Sequence, residues 1–236
     1  MDALNYIDGR HVAASEWLEN FEPATGTAYG RVASSDTADV DRAVAAAARA
    51  FPGWSATPAA QRSRVLRTLA RLIERDRERL ARAEAVDTGK PIALAGSLDI
   101  PRAAQNFDFF ADAITQWQSE AHPTDEVALN YTLRQPLGVV ACISPWNLPL
   151  YLLTWKVAPA LVAGNCVVAK PSEVTPMTAH LLGELCNEAG LPPGVLNIVQ
   201  GLGPRAGSAL VAHPEVRAVS FTGSTRVGRE IAAQTA

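Results

Sequence analysis

Residues 138–170 read GVVACISPWNLPLYLLTWKVAPALVAGNCVVAK, and their punctuation decides the fold. Two short apolar runs, GVVACI and CVVAK, bracket a proline-punctuated stretch from Leu150 that reads as a helix. Continuous apolar runs of this length suit strands covered by helices on both faces. Strand, crossover helix and strand in that order are the grammar of a parallel sheet.

The alternation continues downstream. A helix from Pro176 leads to GVLNIVQ, a short helix from Pro204 leads to AVSFTG, and a last helix starts at Thr225. Thr175 is the expected N-cap of the helix at Pro176, and Gly190 lies past its end. Upstream the pattern is helical. Val40, Ala43, Val44, Ala47 and Phe51 share one face, and a longer helix carries Val65, Leu66, Leu69, Leu72, Ile73 and Leu80 until Asp87-Thr88-Gly89 stops it. Pro101 opens a third helix, which turns Phe107, Phe110, Ile114 and Trp117 toward the core. Between the halves, Val127 to Arg134 alternate as a strand does, so a β-ribbon is expected. The expectation is an α/β chain: a helical part over 1–122, a ribbon over 123–137, and a Rossmann-like open parallel sheet with flanking helices over 138–236.

Composition narrows the partners. The chain is 48% hydrophobic and 19% charged with a net charge of -3, so no block of like charge suits nucleic acid or anionic lipid. Asp2 and Asp8 stand where a signal peptide needs positive charge, and Leu148 to Gly164 carries Lys156 and two prolines, so neither secretion nor a membrane span is expected. A cytoplasmic location follows. Cys142, Cys166 and Cys186 are widely spaced and odd in number, which predicts reduced, buried thiols and no metal site.

Three strand ends carry chemistry. In SPWNLP, Asn147 sits between Pro145 and Pro149, where a rigidly held amide can donate to a developing oxyanion; the plainer reading is an N-cap for the helix that follows. In VVAKPSE, Lys170, Ser172 and Glu173 lie at the edge where open α/β sheets bind ligands. Lysine donors and glutamate acceptors can grip a ribose diol, and the carboxylate would repel a 2′-phosphate, favouring NAD over NADP; a solvated ion pair is the alternative. In FTGSTRVG, Phe221 and Thr222 end a strand, Gly223 allows close backbone approach, and Ser224 opens a helix suited to pyrophosphate or merely caps it. GLGPRAG, with Gly201, Gly203 and Gly207, is one residue too long for a dinucleotide fingerprint and is weak alone.

Together SPWNLP, AKPSE and FTGSTRVG, with YIDG, EPATG and LPPGVLNIVQG, resemble the aldehyde dehydrogenase superfamily across essentially the whole chain. The resemblance implies NAD as cofactor and a small aldehyde as substrate. Asn147 would be the oxyanion-hole amide, and Lys170 and Glu173 would hold the adenosine ribose. Ser224 would meet the pyrophosphate, and Val227 would border the adenine. Ile143, Ser144 and Trp146 would line the cofactor and substrate cleft, with Ser172, Gly203, Gly207, Phe221, Thr222 and Gly223 also on the cofactor side. The ribbon would serve homo-oligomerisation. Within the family, SLDIPRAAQNFDFFA and the SPWNLP segment are similar to the branch that oxidises muconic semialdehydes. That implies substrate contacts at Arg102, as partner of a distal carboxylate, and at Trp155; an ordinary exposed helix arginine is the alternative for Arg102.

The resemblance places the nucleophilic cysteine and the general-base glutamate in segments after the last helix. These residues are therefore expected to be an N-terminal part without the catalytic domain, inactive alone, with the apolar face of Val227 and Ile231 limiting solubility. A noncatalytic nucleotide-binding or assembly module on the same fold is the rival expectation.

Overall fold

The structure, a computed structural model, describes residues 2–236. It opens with strands rather than the helices expected from the N-terminus. β1 (Asn5–Ile7) and β2 (Arg10–Val12) form a tight hairpin, and β3 (Glu16–Glu22) pairs antiparallel with β4 (Thr27–Ser34). The turn between β1 and β2 is Asp8-Gly9 with φ of 52° and 78°, the conformation that two-residue hairpin loops require. The helical reading of 1–122 is thus corrected for residues 5–34.

The helices follow. α1 (Thr37–Ala56) starts from a reciprocal cap in which Asp36 accepts from the Asp39 N–H at 3.0 Å and Asp39 accepts from the Asp36 N–H at 3.2 Å, worth about 1 kcal/mol. The single long helix expected next is two, α2 (Ala59–Arg75) and α3 (Arg77–Thr88), broken at Asp76. α4 (Ile92–Leu94) and a π-helical turn, Ala95–Asp99, lead into α5 (Ile100–Gln116). Phe107 is buried on α5, but Trp117 lies beyond its end, exposed, with the Arg134 guanidinium 5.4 Å from its ring centre. β5 (Ala121–Thr124) and β6 (Ala128–Tyr131) make the ribbon, all of it exposed.

The remaining elements alternate as the sequence indicates: β7 (Val139–Ile143), α6 (Pro149–Val162), β8 (Cys166–Lys170), α7 (Met177–Glu188), β9 (Leu196–Ile198), a π turn Gly203–Gly207, α8 (Ser208–Ala212), β10 (Val216–Phe221) and α9 (Thr225–Thr235). The sheet runs β10-β7-β8-β9-β1-β2, its first four strands parallel and the last two antiparallel additions. α1 and α8 cover one face, while α6 and α7 cover the other, backed by α2 and α5. β7, β8 and β9 are buried along their whole length, which is why they read as unbroken apolar runs. Thr175 does not cap α7, since its hydroxyl finds no partner among the described residues. The buried Asp87 does so instead, accepting from the Met177 N–H at 2.8 Å. Among the described residues, no helix is long and apolar enough to cross a membrane, and no cluster of three or more His, Cys, Asp or Glu could hold a metal ion.

Candidate active site

Strand order creates the site. The chain moves from β7 outward through β8 and β9, then returns to place β10 on the other side of β7. The loops leaving β7 and β10 therefore diverge to opposite faces and open a crevice at the carboxyl ends, where ligands bind in open α/β sheets. Register aligns Phe221, Ile143 and Lys170 in one row across three strands. Backbone bonds lock the row: Ser144 N–H donates to the Lys170 carbonyl at 3.2 Å and Thr222 N–H to the Ile143 carbonyl at 3.1 Å.

A cavity of about 280 Å³ opens from this row, lined among others by Ile143, Lys170, Gly203, Gly207, Phe221 and Val227. Lys170 is almost wholly buried, and its Nζ lies 3.0 Å from Oε2 of the half-buried Glu173. Burial pulls its pKa below the ordinary lysine range, and the Glu173 charge opposes that shift. The geometry is an inward-facing pair rather than a solvated surface one. Ser172 lies between them in the chain, half-buried. Gly207 runs close to the Lys170 stem, where an added Cβ would lie 3.8 Å from its Cδ. Gly201 serves another purpose, because a Cβ there would meet the Ser35 backbone nitrogen at 2.8 Å. GLGPRAG is thus a turn packed against the chain itself, with Gly203, Pro204 and Gly207 on the cavity and Gly201 away from it.

At the β10 end, Ser224 caps α9 by accepting from the Val227 N–H at 3.3 Å. The capped turn is therefore present. A Cβ at Gly223 would sit 2.4 Å from the tip of the Phe221 ring, so a side chain there would displace that ring. What approaches Gly223 closely is Phe221 itself.

Asn147 stands on the loop from β7 to α6 and is exposed, as is Trp146, while Ser144 is buried. The N-cap reading does not hold: the cap position is Leu148, with no side-chain cap bond. The amide of Asn147 has no hydrogen-bond partner among the described residues. Its backbone carbonyl accepts from Lys90 Nζ at 3.2 Å, a contact that sequence reading missed because DTGKP registers there only as a helix stop.

Arg102 and Trp155 lie away from the cavity, on the face covered by α6. The Arg102 guanidinium stands 5.5 Å from the Tyr151 ring centre, and Trp155 meets Phe110 edge-on at 5.8 Å. Arg102 is exposed, and the neighbouring Asp99 bonds Lys90. These aromatics form a wall along α5 and α6, half-exposed at Trp155. Asn147, on the loop that leaves the carboxyl end of β7, is not among the residues that line the cavity. Cys142, Cys166 and Cys186 are buried, and burial pushes each thiol up to about 12, as inert core thiols require.

The aldehyde dehydrogenase family pattern matches residues 11–236. The chain belongs to the aldehyde dehydrogenase family. It is 52% identical over 228 residues to a 2-aminomuconic semialdehyde dehydrogenase of Bos taurus, covering 96% of this chain and 47% of that protein. It is 46% identical over 235 residues to a 2-hydroxymuconic semialdehyde dehydrogenase of Pseudomonas sp. (strain CF600), covering 96% and 48%. The aldehyde dehydrogenase from Bacillus cereus, solved as an NAD+ complex, superposes with a TM-score of 0.97 at 39% identity, over 100% of this chain and 49% of that one. The chain thus spans about half the length of the curated aldehyde dehydrogenases it matches.

Proposed function

We propose that this chain provides the coenzyme-binding part of an NAD-dependent enzyme that oxidises an aldehyde to its carboxylic acid. The preferred substrate is a semialdehyde bearing a carboxylate at its far end. The observation that supports the reading is that the Lys170–Glu173 pair, the N-terminus of α9 and the loop carrying Asn147 each follow the carboxyl end of one of three neighbouring parallel strands, β8, β10 and β7.

The residues fit a dinucleotide. Lys170 offers donors and Glu173 acceptors to a ribose diol, and the cavity approaches the roughly 300 Å³ at which small-molecule sites begin. Val227 and Phe221 give it apolar walls, and the α9 N-terminus suits pyrophosphate. NAD, when bound, supplies the acceptor for the hydride that leaves the substrate carbon. Asn147 would donate its amide N–H to the carbonyl oxygen as that oxygen gains charge, worth about 3 kcal/mol of barrier. Arg102 would pair with the remote carboxylate while Trp155 and Tyr151 line the path. The semialdehyde dehydrogenases among the relatives support this substrate class. The apolar ribbon residues Val127, Leu129 and Tyr131 support a homo-oligomer.

The test uses protein expressed from the complete coding sequence and follows NADH formation with 2-hydroxymuconic semialdehyde and with a neutral aldehyde of similar length. The semialdehyde should be preferred, and Asn147→Ala should lower kcat by about 100-fold. Residues 1–236 alone should bind NAD without turnover, because their thiols are buried and protonated. Aldehyde oxidation by those residues alone, or an unimpaired Asn147→Ala variant, would overturn the reading.

A further inference from the structure

The loop carrying Asn147 has little local support. Trp146 and Asn147 are exposed, and Leu148 enters α6 without a side-chain cap. Its anchor comes from a distant part of the chain, the Lys90 ammonium that donates to the Asn147 carbonyl at 3.2 Å across 57 residues of sequence.

A lysine on an exposed surface would be a loose anchor, since its four-carbon stem is flexible. Lys90 is not loose. Asp99 Oδ2 holds its Nζ at 2.5 Å and Glu84 Oε1 stands 3.8 Å away, with the carboxyl groups 1% and 0% exposed. Asp99 closes the π-helical turn Ala95–Asp99, and an extra residue inside a helix re-aims the side chains around it. Two buried carboxyls around one lysine are costly unless they serve a purpose. Both Glu84 oxygens are buried and have no hydrogen-bond partner among the described residues, so their nearest counter-charge is Lys90. Fixing the Asn147 carbonyl fixes the plane of the peptide that follows it, which limits the backbone rotation that would swing the amide side chain.

We infer that Lys90, clamped by Asp99 and Glu84, is a positioning residue that aims the Asn147 amide. This rests on the reading of Asn147 as oxyanion donor.

The experiment is a double-mutant cycle in protein expressed from the complete coding sequence, comparing Lys90→Met, Asn147→Ala and the pair. The readouts are the single-turnover rate of NADH formation and the Kd for NAD. Lys90→Met should slow the step by up to about 100-fold, the cost of a misplaced group. It should leave the NAD Kd within about 2-fold and cost less than about 3-fold further in the Asn147→Ala background. Lys90→Arg should restore part of the rate. If Lys90→Met does not fold, Asp99→Asn keeps the lysine and loosens its clamp; a slower step with NAD affinity retained supports the inference, and an unchanged rate overturns it. Multiplicative losses in the double variant, or a parallel loss of NAD affinity, would overturn the positioning role while leaving Asn147 as donor. An unimpaired Asn147→Ala variant would instead overturn the oxyanion reading beneath it.

Discussion

Asn147 and Ser224 show how neighbours decide a side chain's role. Ser224 commits its hydroxyl to capping α9, whereas Asn147 is relieved of capping because the helix begins past Leu148. Among the described residues Arg102 has no carboxylate partner, and Asp99 is engaged by Lys90. Arg102→Gln should therefore raise KM for a carboxylated semialdehyde by roughly 10- to 100-fold, the value of a charged hydrogen bond, and leave a neutral aldehyde unaffected. Equal losses on both substrates would refute that assignment. Glu84 supplies a pH signature. Burial pushes its carboxyl up to about 7, so on moving from about pH 4.5 to 7 the native state holds a proton that the unfolded chain has released, and stability falls as pH rises. The neutral Glu84→Gln variant should therefore gain Tm over the wild type progressively between about pH 5 and pH 8; a gain independent of pH would contradict the burial account. Asn147, Lys170 and Glu173 could be proposed from sequence because each follows a punctuated strand end. It concealed Lys90, whose role depends on carboxyls brought in by a π turn that no periodicity announces.

Elements differ in how plainly they announce themselves, and burial explains the difference. β7 and β8 are covered on both faces, so their composition is apolar throughout and their reading needs no context. β1 and β2 are three residues each, too short for alternation to register, although the Asp8-Gly9 turn between them was a usable hairpin signal. The break between α2 and α3 was hidden because it is a single residue, Asp76, after which the apolar pattern resumes at Leu80. Partners matter as much as periodicity at α7, where Gly183 lets the helix close on β1. A Cβ at Gly183 would lie 2.8 Å from the Tyr6 ring, and the Tyr6 hydroxyl is tied to Asn187 Oδ1 at 2.6 Å, so the ring has no easy retreat. Gly183→Ala should destabilise the fold by about 1–3 kcal/mol through overpacking, read as a lower midpoint in chemical unfolding. An unchanged midpoint would show that α7 and β1 can separate freely.

At the scale of the whole molecule, the sheet divides the work between its faces. The face covered by α8 and α9 carries the cavity of Lys170, Phe221 and Val227, and the face covered by α5 and α6 carries the wall of Arg102, Tyr151 and Trp155. Asn147 stands on the loop that leaves the carboxyl end of β7, and the proposal is that a coenzyme and a substrate approaching from the two faces meet beside its amide. The strand order that produces this follows from the βαβ alternation, but the return of β10 to the far side of β7 could not be read from any single segment. The most direct measurement is a crystal structure with NAD bound. The account predicts the adenosine ribose between Lys170 and Glu173, the pyrophosphate over the α9 N-terminus at Ser224, and the nicotinamide directed toward Asn147. A dinucleotide seated elsewhere, or one whose nicotinamide points away from Asn147, would contradict it.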